Sequence, residues 1–238
     1  KDMANIVEHV MMQRCKGLFV ESQLQEDSSP KPFGRSWTEI ALKFHNKLTF
    51  CTTFDARQYH NNLSFDFSDN FQTVRTSAEN WQPIRTNIHL PAIPGVQYEW
   101  EVTVLEAEQD VNSWKILVTV EVAELTVGCN ESVLPVNTKN AWGYIWHSGG
   151  KVHENNQTQQ YTSEPGSIGD VIKVQLVFPK TKSKGDCQIT YFRNGKSLGQ
   201  AFTIPASKYN GLTYRLTPGV SLYATCAVHL SNMKLIRL

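Results

Sequence analysis

The segment from Ile168 to Phe202, IGDVIKVQLVFPKTKSKGDCQITYFRNGKSLGQAF, constrains what this chain can fold into more than any other part of it. Val171 to Phe178 is rich in β-branched residues, Gly185-Asp186 stands between two apolar runs, and Ile189 to Phe192 leads into the dipeptide Asn194-Gly195. Asn-Gly joins antiparallel strands because both residues accept positive φ at little cost. The spacing therefore predicts a β-hairpin followed by a second, polar turn. The segment holds no evident reacting group, so its chemistry is that of a surface.

A period of two runs through most of the chain. Leu48, Phe50, Thr52 and Phe54 alternate with polar neighbours, as do Leu63, Phe65 and Phe67, and Tyr98 to Leu105 is a half-buried pattern. Further strands are expected at Gln72 to Arg75, Ile116 to Val122, Ala141 to His147 and Pro218 to Leu230, with turns at Pro94-Gly95, Gly149-Gly150, Gly166 and Asn210-Gly211. Many short strands with frequent turns predict an all-β sandwich. The N-terminal part differs. Met3, Ile6, Val7, Val10, Met11 and Leu18 recur at helical spacing, Ser22 to Arg35 reads as a linker, and Ser36-Trp37-Thr38-Glu39 fits a capping box that opens a short helix. The expected division is a helical extension and linker over 1–47 and a β-sandwich over 48–238.

Composition excludes some functions. A formal charge of +1 offers no polyanion-seeking field, so nucleic acid is not an expected partner, and the lysines of Lys180 to Lys184 read as a solvated turn. No apolar run approaches the roughly 18 residues of a membrane span, and there is no signal-peptide core. Five cysteines at 15, 51, 129, 187 and 226 contain no C-x-x-C pair, which points to a reducing, cytoplasmic setting and away from zinc or a disulfide frame. In that setting the triplets at Asn62, Asn130 and Asn156 are not glycosylation sites. Because the chain begins at Lys, it is expected to be a piece of a longer protein, whose upstream region could make it oligomeric.

The segment GDVI…ITYFRNGKSLGQAF resembles the core signature of SPRY domains. Asn62-Leu63-Ser64-Phe65-Asp66 with Thr73-Val74-Arg75 is similar to the preceding PRY element, Pro94 to Val102 to the family's "sGrhYWEV" strand, Ala141-Trp142-Gly143-Tyr144 to "SWGY", and Leu216 to Tyr223 to "LyPaVSLY". The likeness covers about 48–230. Trp114 to Val122, WKILVTVEV, lacks the glycines of the family's next strand, and Val228-His229-Leu230 stands where "NFG" is usual. The resemblance implies a bent antiparallel β-sandwich, like a concanavalin-type jelly roll, that binds proteins or peptides through loops on one face. In the PRY-SPRY subset such a domain commonly selects the substrate of tripartite-motif ubiquitin ligases.

No nucleophile elbow, P-loop, dinucleotide fingerprint or zincin motif occurs, so an enzyme is not expected and no cofactor is implied. His147 and His153 flank the Gly149-Gly150 turn beside Glu154 and read as solvated loop histidines, since no third His or Cys lies near. Glu99 and Glu101 flank Trp100 and share a solvent face. Trp142, Tyr144 and Trp146 project to one side of a strand, and the pattern leaves open whether Trp146 is core or an exposed anchor. Tyr59 lies in a polar aromatic turn, Trp81 and Arg85 in a long stretch read as irregular, and Tyr161 ends the amide-rich loop from Asn155. Tyr59, Trp81, Arg85, Trp146 and Tyr161 are the candidate contacts for a protein or peptide partner. A carbohydrate-binding, lectin-like sandwich is the alternative.

Overall fold

In the computed structural model the period-two segments become strands of two antiparallel sheets; residues 47–50, 52–55, 65–108, 115–124, 136, 139–154, 157–180, 186–208, 214–231 and 233–238 are described. In chain order the strands are β1 (Lys47–Phe50), β2 (Asp66–Ser68), β3 (Thr73–Thr76), β4 (Gln82–Arg85), β5 (Val96–Ala107), β6 (Ile116–Glu124), β7 (Ala141–Ile145), β8 (Gly150–His153), β9 (Gln157–Gln160), β10 (Val171–Phe178), β11 (Cys187–Arg193), β12 (Lys196–Ile204), β13 (Tyr214–Leu222), β14 (Cys226–Leu230) and β15 (Met233–Arg237). Nine form one sheet, ordered β12-β11-β10-β5-β14-β3-β2, with β15 also beside β5 and β1 beside β15. Six form the other, ordered β4-β13-β6-β7-β8-β9.

β5 is the spine of the larger sheet. Its 12 residues are long enough for β14 and β15 to pair along different stretches of one edge while β10 takes the other. Val96, Tyr98, Trp100, Val102 and Val104 point into the sandwich and are buried, and the residues between them face outward. They meet Val118, Val120, Trp142, Tyr144 and Trp146 from the smaller sheet in one core cluster. Each such side chain contributes about 1.5–3 kcal/mol by leaving water, so the alternation of β5 alone accounts for a large share of the driving force.

The central strands of the smaller sheet are buried on both faces. Leu117, Ala141, Ile145 and Val152 point away from the main core, yet they form a second cluster with Val136 and the flank of Trp81. This explains why β6 reads as a nearly continuous apolar run and β7 is buried at every position. The same outer face carries a charge pair: Arg85 Nε donates to Glu121 Oε2 at 2.7 Å, and Thr119 donates to Glu121 Oε1 at 2.8 Å. Gly219 makes room for it, since a Cβ there would stand 2.7 Å from Glu121 Oε1 and 2.8 Å from Thr119 Oγ1.

Several expectations require correction. The stretch holding Arg85 is not irregular: Gln82–Arg85 is β4, an edge strand where Pro83 leaves no ladder bond unmade. Pro218 to Leu230 is not one strand but β13 and β14, broken at 223–225 where Ala224 takes φ of 58°. The amide-rich segment before Tyr161 contains β9, paired with β8. Asn194-Gly195 does turn β11 into β12, with φ of 50° and 81°. The helix over the first 18 residues, the linker, the short helix from Trp37, and Tyr59 lie outside the described residues.

Gly219→Ala forces a methyl group against the Arg85–Glu121 pair, so urea unfolding should show a loss of about 1–3 kcal/mol. A variant as stable as the native chain would mean that the pair yields freely.

Candidate functional site

Strand register gathers most of the connections at one end of the sandwich. Gln82 lies opposite Leu222, Leu222 opposite Ile116, Leu117 opposite Ile145, Ile145 opposite Gly150, and Gly150 opposite Gln160. The segments 77–81, 146–149, 161–170, 194–195 and 223–225 therefore emerge together, with Glu108 and Lys115 beside them.

The carboxylate of Asp170 fastens one half of this end. Asp170 is buried, and its Oδ2 accepts the Trp146 indole N–H at 3.0 Å and the Ser167 backbone N–H at 2.8 Å. Its Oδ1 accepts from Asn194 Nδ2 at 2.7 Å, while Asn194 Oδ1 accepts the Val171 N–H at 2.8 Å. Three connections distant in sequence thus share one anion, which is satisfied by donors without needing a cation. Gly166 completes the contact, because any Cβ there would overlap the Trp146 ring. Arg193, also buried, donates to the Glu164 and Pro165 carbonyls at 2.8 and 3.0 Å and to Glu164 Oε2 at 2.6 Å. The Arg193 hydrogen bond, with the charge of Lys196, holds the Glu164 carboxyl below the usual carboxylate range.

A second group fastens the other half. Tyr223 N–H donates to the Lys115 carbonyl at 2.9 Å, Ala224 N–H to Ala78 at 2.8 Å, and Glu108 N–H to Thr225 at 2.9 Å. Lys115 lies 5.2 Å from the Tyr223 ring centroid, with its ammonium 3.6 Å from Glu108, and the Trp81 ring packs against the same Tyr223 ring with centroids 5.5 Å apart. Below them the Cys226 thiol, pushed up to about 11 by burial, donates to the Tyr223 carbonyl at 3.1 Å. It is a packing group, not a nucleophile.

Of the candidate contacts, Trp81, Trp146 and Tyr161 stand at this end. Trp81 is partly exposed. Trp146 is only 3% exposed, so its expectation as a possible anchor is corrected: the ring belongs to the core and its single donor is spent on Asp170. Arg85 stands further along the outer face, where Glu121 engages its guanidinium. Tyr161 is half-buried, its ring edge-on to Tyr144 and Tyr191 and its hydroxyl donating to the Gly199 carbonyl. His153 is not a loop residue; it lies on β8, stacked on Trp142 at 4.8 Å and 16°. Ile168, 49% exposed, was not singled out, and nothing in its local pattern marks it. Lys151 and His153 were legible in principle. A tight turn at Gly149-Gly150 sets them opposite Tyr144 and Trp142, and opposed residues share a face. Among the described residues no group of three His, Cys, Asp or Glu is placed to hold a metal.

No family model matches the chain, and no curated protein matches it. Among solved structures, the TRIM65 PSpry domain is similar at a TM-score of 0.49 and 15% identity, over 85% of this chain and 99% of that one. The metal-free Emp46p carbohydrate recognition domain is similar at 0.47 and 8%, over 76% and 88%. Winged bean acidic lectin, complexed with methyl-α-D-galactose, is similar at 0.49 and 8%, over 81% and 99%.

Two outcomes follow from this geometry. Asp170→Ala leaves the Trp146 N–H buried without an acceptor, and urea unfolding should record a loss of about 3 kcal/mol; a loss below 1 kcal/mol would mean that the end is held by other contacts. Burial pushes the Tyr161 hydroxyl from 10.0 up to about 12, so the folded chain keeps a proton that the unfolded chain releases. Its contribution is complete below pH 10 and fades as pH rises toward 12. Unfolding curves across that window should fall less steeply for Tyr161→Phe than for the native chain.

Proposed function

We propose that this chain carries a non-catalytic recognition domain of the PRY-SPRY type, which takes a protein or peptide on the connection end of its sandwich. The observation that carries the reading is the Asp170 hub. The signature segments GDVI and RNGKSLG meet there through Asp170 and Asn194, beside Trp146 of the aromatic strand. A role for these residues in fastening loops, with Trp81 and Ile168 left accessible at the same end, fits a surface made to be bound. A cytoplasmic substrate-recognition role within a ubiquitin ligase or adaptor is the larger setting proposed for it.

The test is capture of cytosolic proteins on the immobilised chain, followed by calorimetry with the purified partner. Trp81→Ala and Ile168→Ser should each weaken binding about tenfold, the scale of an interface anchor, with the fold intact by circular dichroism and, for Ile168→Ser, a melting temperature close to native. Gln188→Ala, on the outer face of the larger sheet, should leave it unchanged. A partner indifferent to both end variants would overturn the placement of the site. A strong hit on a glycan array, with no protein captured, would overturn the partner class in favour of carbohydrate.

A further inference from the structure

At the open margin of the sandwich, where β8 and β9 face β12, the inward-facing Lys151 has no carboxylate beside it among the described residues. Lys151 lies opposite Tyr144 and Gln159, and His153 opposite Trp142, so both side chains enter from the core-facing side of the smaller sheet. Lys151 Nζ donates to the Ala201 carbonyl at 2.8 Å and stands 5.7 Å from the Tyr161 ring centroid and 5.4 Å from that of Phe202. Four other cations that are withdrawn from water face carboxylates: Arg85 faces Glu121, Lys115 faces Glu108, Lys173 faces Glu99 and Arg193 faces Glu164. Lys151 faces none. Glu154, the carboxylate nearest in sequence, is instead 3.3 Å from Lys139.

An ammonium carries three donors, and a single carbonyl uses one of them. The two rings hold the cation by their faces, but they accept no strong hydrogen bond. Beside it the His153 Nδ1 lies 2.7 Å from the Ala141 carbonyl, which can only accept, so Nδ1 carries the hydrogen and Nε2 is the position left open. Phe202 touches both groups, its ring edge-on to His153 at 6.3 Å. Gln159, exposed opposite Lys151, adds an amide to the margin.

We propose that this margin is a binding site for an oxyanion, the side-chain carboxylate of an acidic, extended peptide, with Lys151 as the charge partner. The carboxylate takes the free donors of Lys151, and the apolar stem that carries it lies along Tyr161 and Phe202. A partly withdrawn cation flanked by rings selects such a ligand over a neutral one, because a charge-assisted hydrogen bond is about twice as strong as a neutral one. The proposal rests on the recognition reading above and adds the chemistry of the partner. It is tested apart from the connection end, with small probes.

The test is a nuclear magnetic resonance titration of the 238-residue chain with tetraglutamate, with inorganic phosphate, and with tetraglutamine as the neutral control. Tetraglutamate should give saturable shifts at the amides of Lys151, His153, Tyr161 and Phe202, and tetraglutamine none. Lys151→Met, which keeps the aliphatic stem, should weaken that binding about tenfold, and Lys151→Arg, which keeps the charge if the first variant folds poorly, should retain it. Saturable binding by phosphate alone would overturn the peptide carboxylate and leave a free-anion site. No saturable shift with either anion, or equal affinity in Lys151→Met, would overturn the oxyanion site altogether. Loss of this signal with the Trp81 and Ile168 effects intact would leave the recognition reading standing.

Discussion

One buried carboxylate sets the geometry of the connection end of this sandwich. Asp170 has no cation in its hydrogen-bonding shell; a Trp indole, a backbone amide and an Asn amide supply the donors instead. Because an unsatisfied buried charge is far costlier than a satisfied one, the three donors must arrive together. That requirement couples the β7–β8 turn, the β9–β10 connection and the β11–β12 turn, none of which is adjacent in sequence to both others. Loops that would each be free to vary become one surface.

The smaller sheet obeys a second constraint. Its inner face meets the larger sheet, and the outer face of its central strands is also removed from water, with an apolar half around Leu117 and Ile145 and a polar half around Arg85 and Glu121. Burying a charge pair on an otherwise apolar face demands close geometry, which is why Gly219 stands where any side chain would displace Glu121. At the margin the problem is an unpaired edge. The carbonyls of Gly199 and Ala201 on β12 are taken by Tyr161 and Lys151 from the opposite sheet, so the end strand of the larger sheet is capped by side chains from the smaller one. The same two residues that close the margin also line it.

Much of the architecture was readable from the chain. The alternation from Tyr98 to Leu105 specified β5 and its buried face, and Asn194-Gly195 specified a turn that only a hairpin uses. β4 and β9 were missed for opposite reasons. Pro83 argues against a strand by local rule, and only its place at a sheet edge permits it; the amides before Tyr161 carry no hydrophobic period, and only pairing with β8 makes them a strand. The site was harder to read than the fold. Trp146 and Arg85 have the side chains of interface anchors, yet one is buried against Asp170 and the other is paired with Glu121.

The sequence by itself determined an all-β chain, the position of most strands and which face of each is apolar, since those follow from a period of two and from turn chemistry that acts over a few residues. Tertiary structure alone decided which polar groups are free. Local sequence does not tell the roles of Asp170, Arg85, Trp146 and Lys151 apart, and they part company only when distant strands bring three donors to the first, a carboxylate to the second, an acceptor to the third and, among the described residues, no counter-ion to the fourth. Local pattern encodes burial, whereas the pairing of charges is a property of the packed whole.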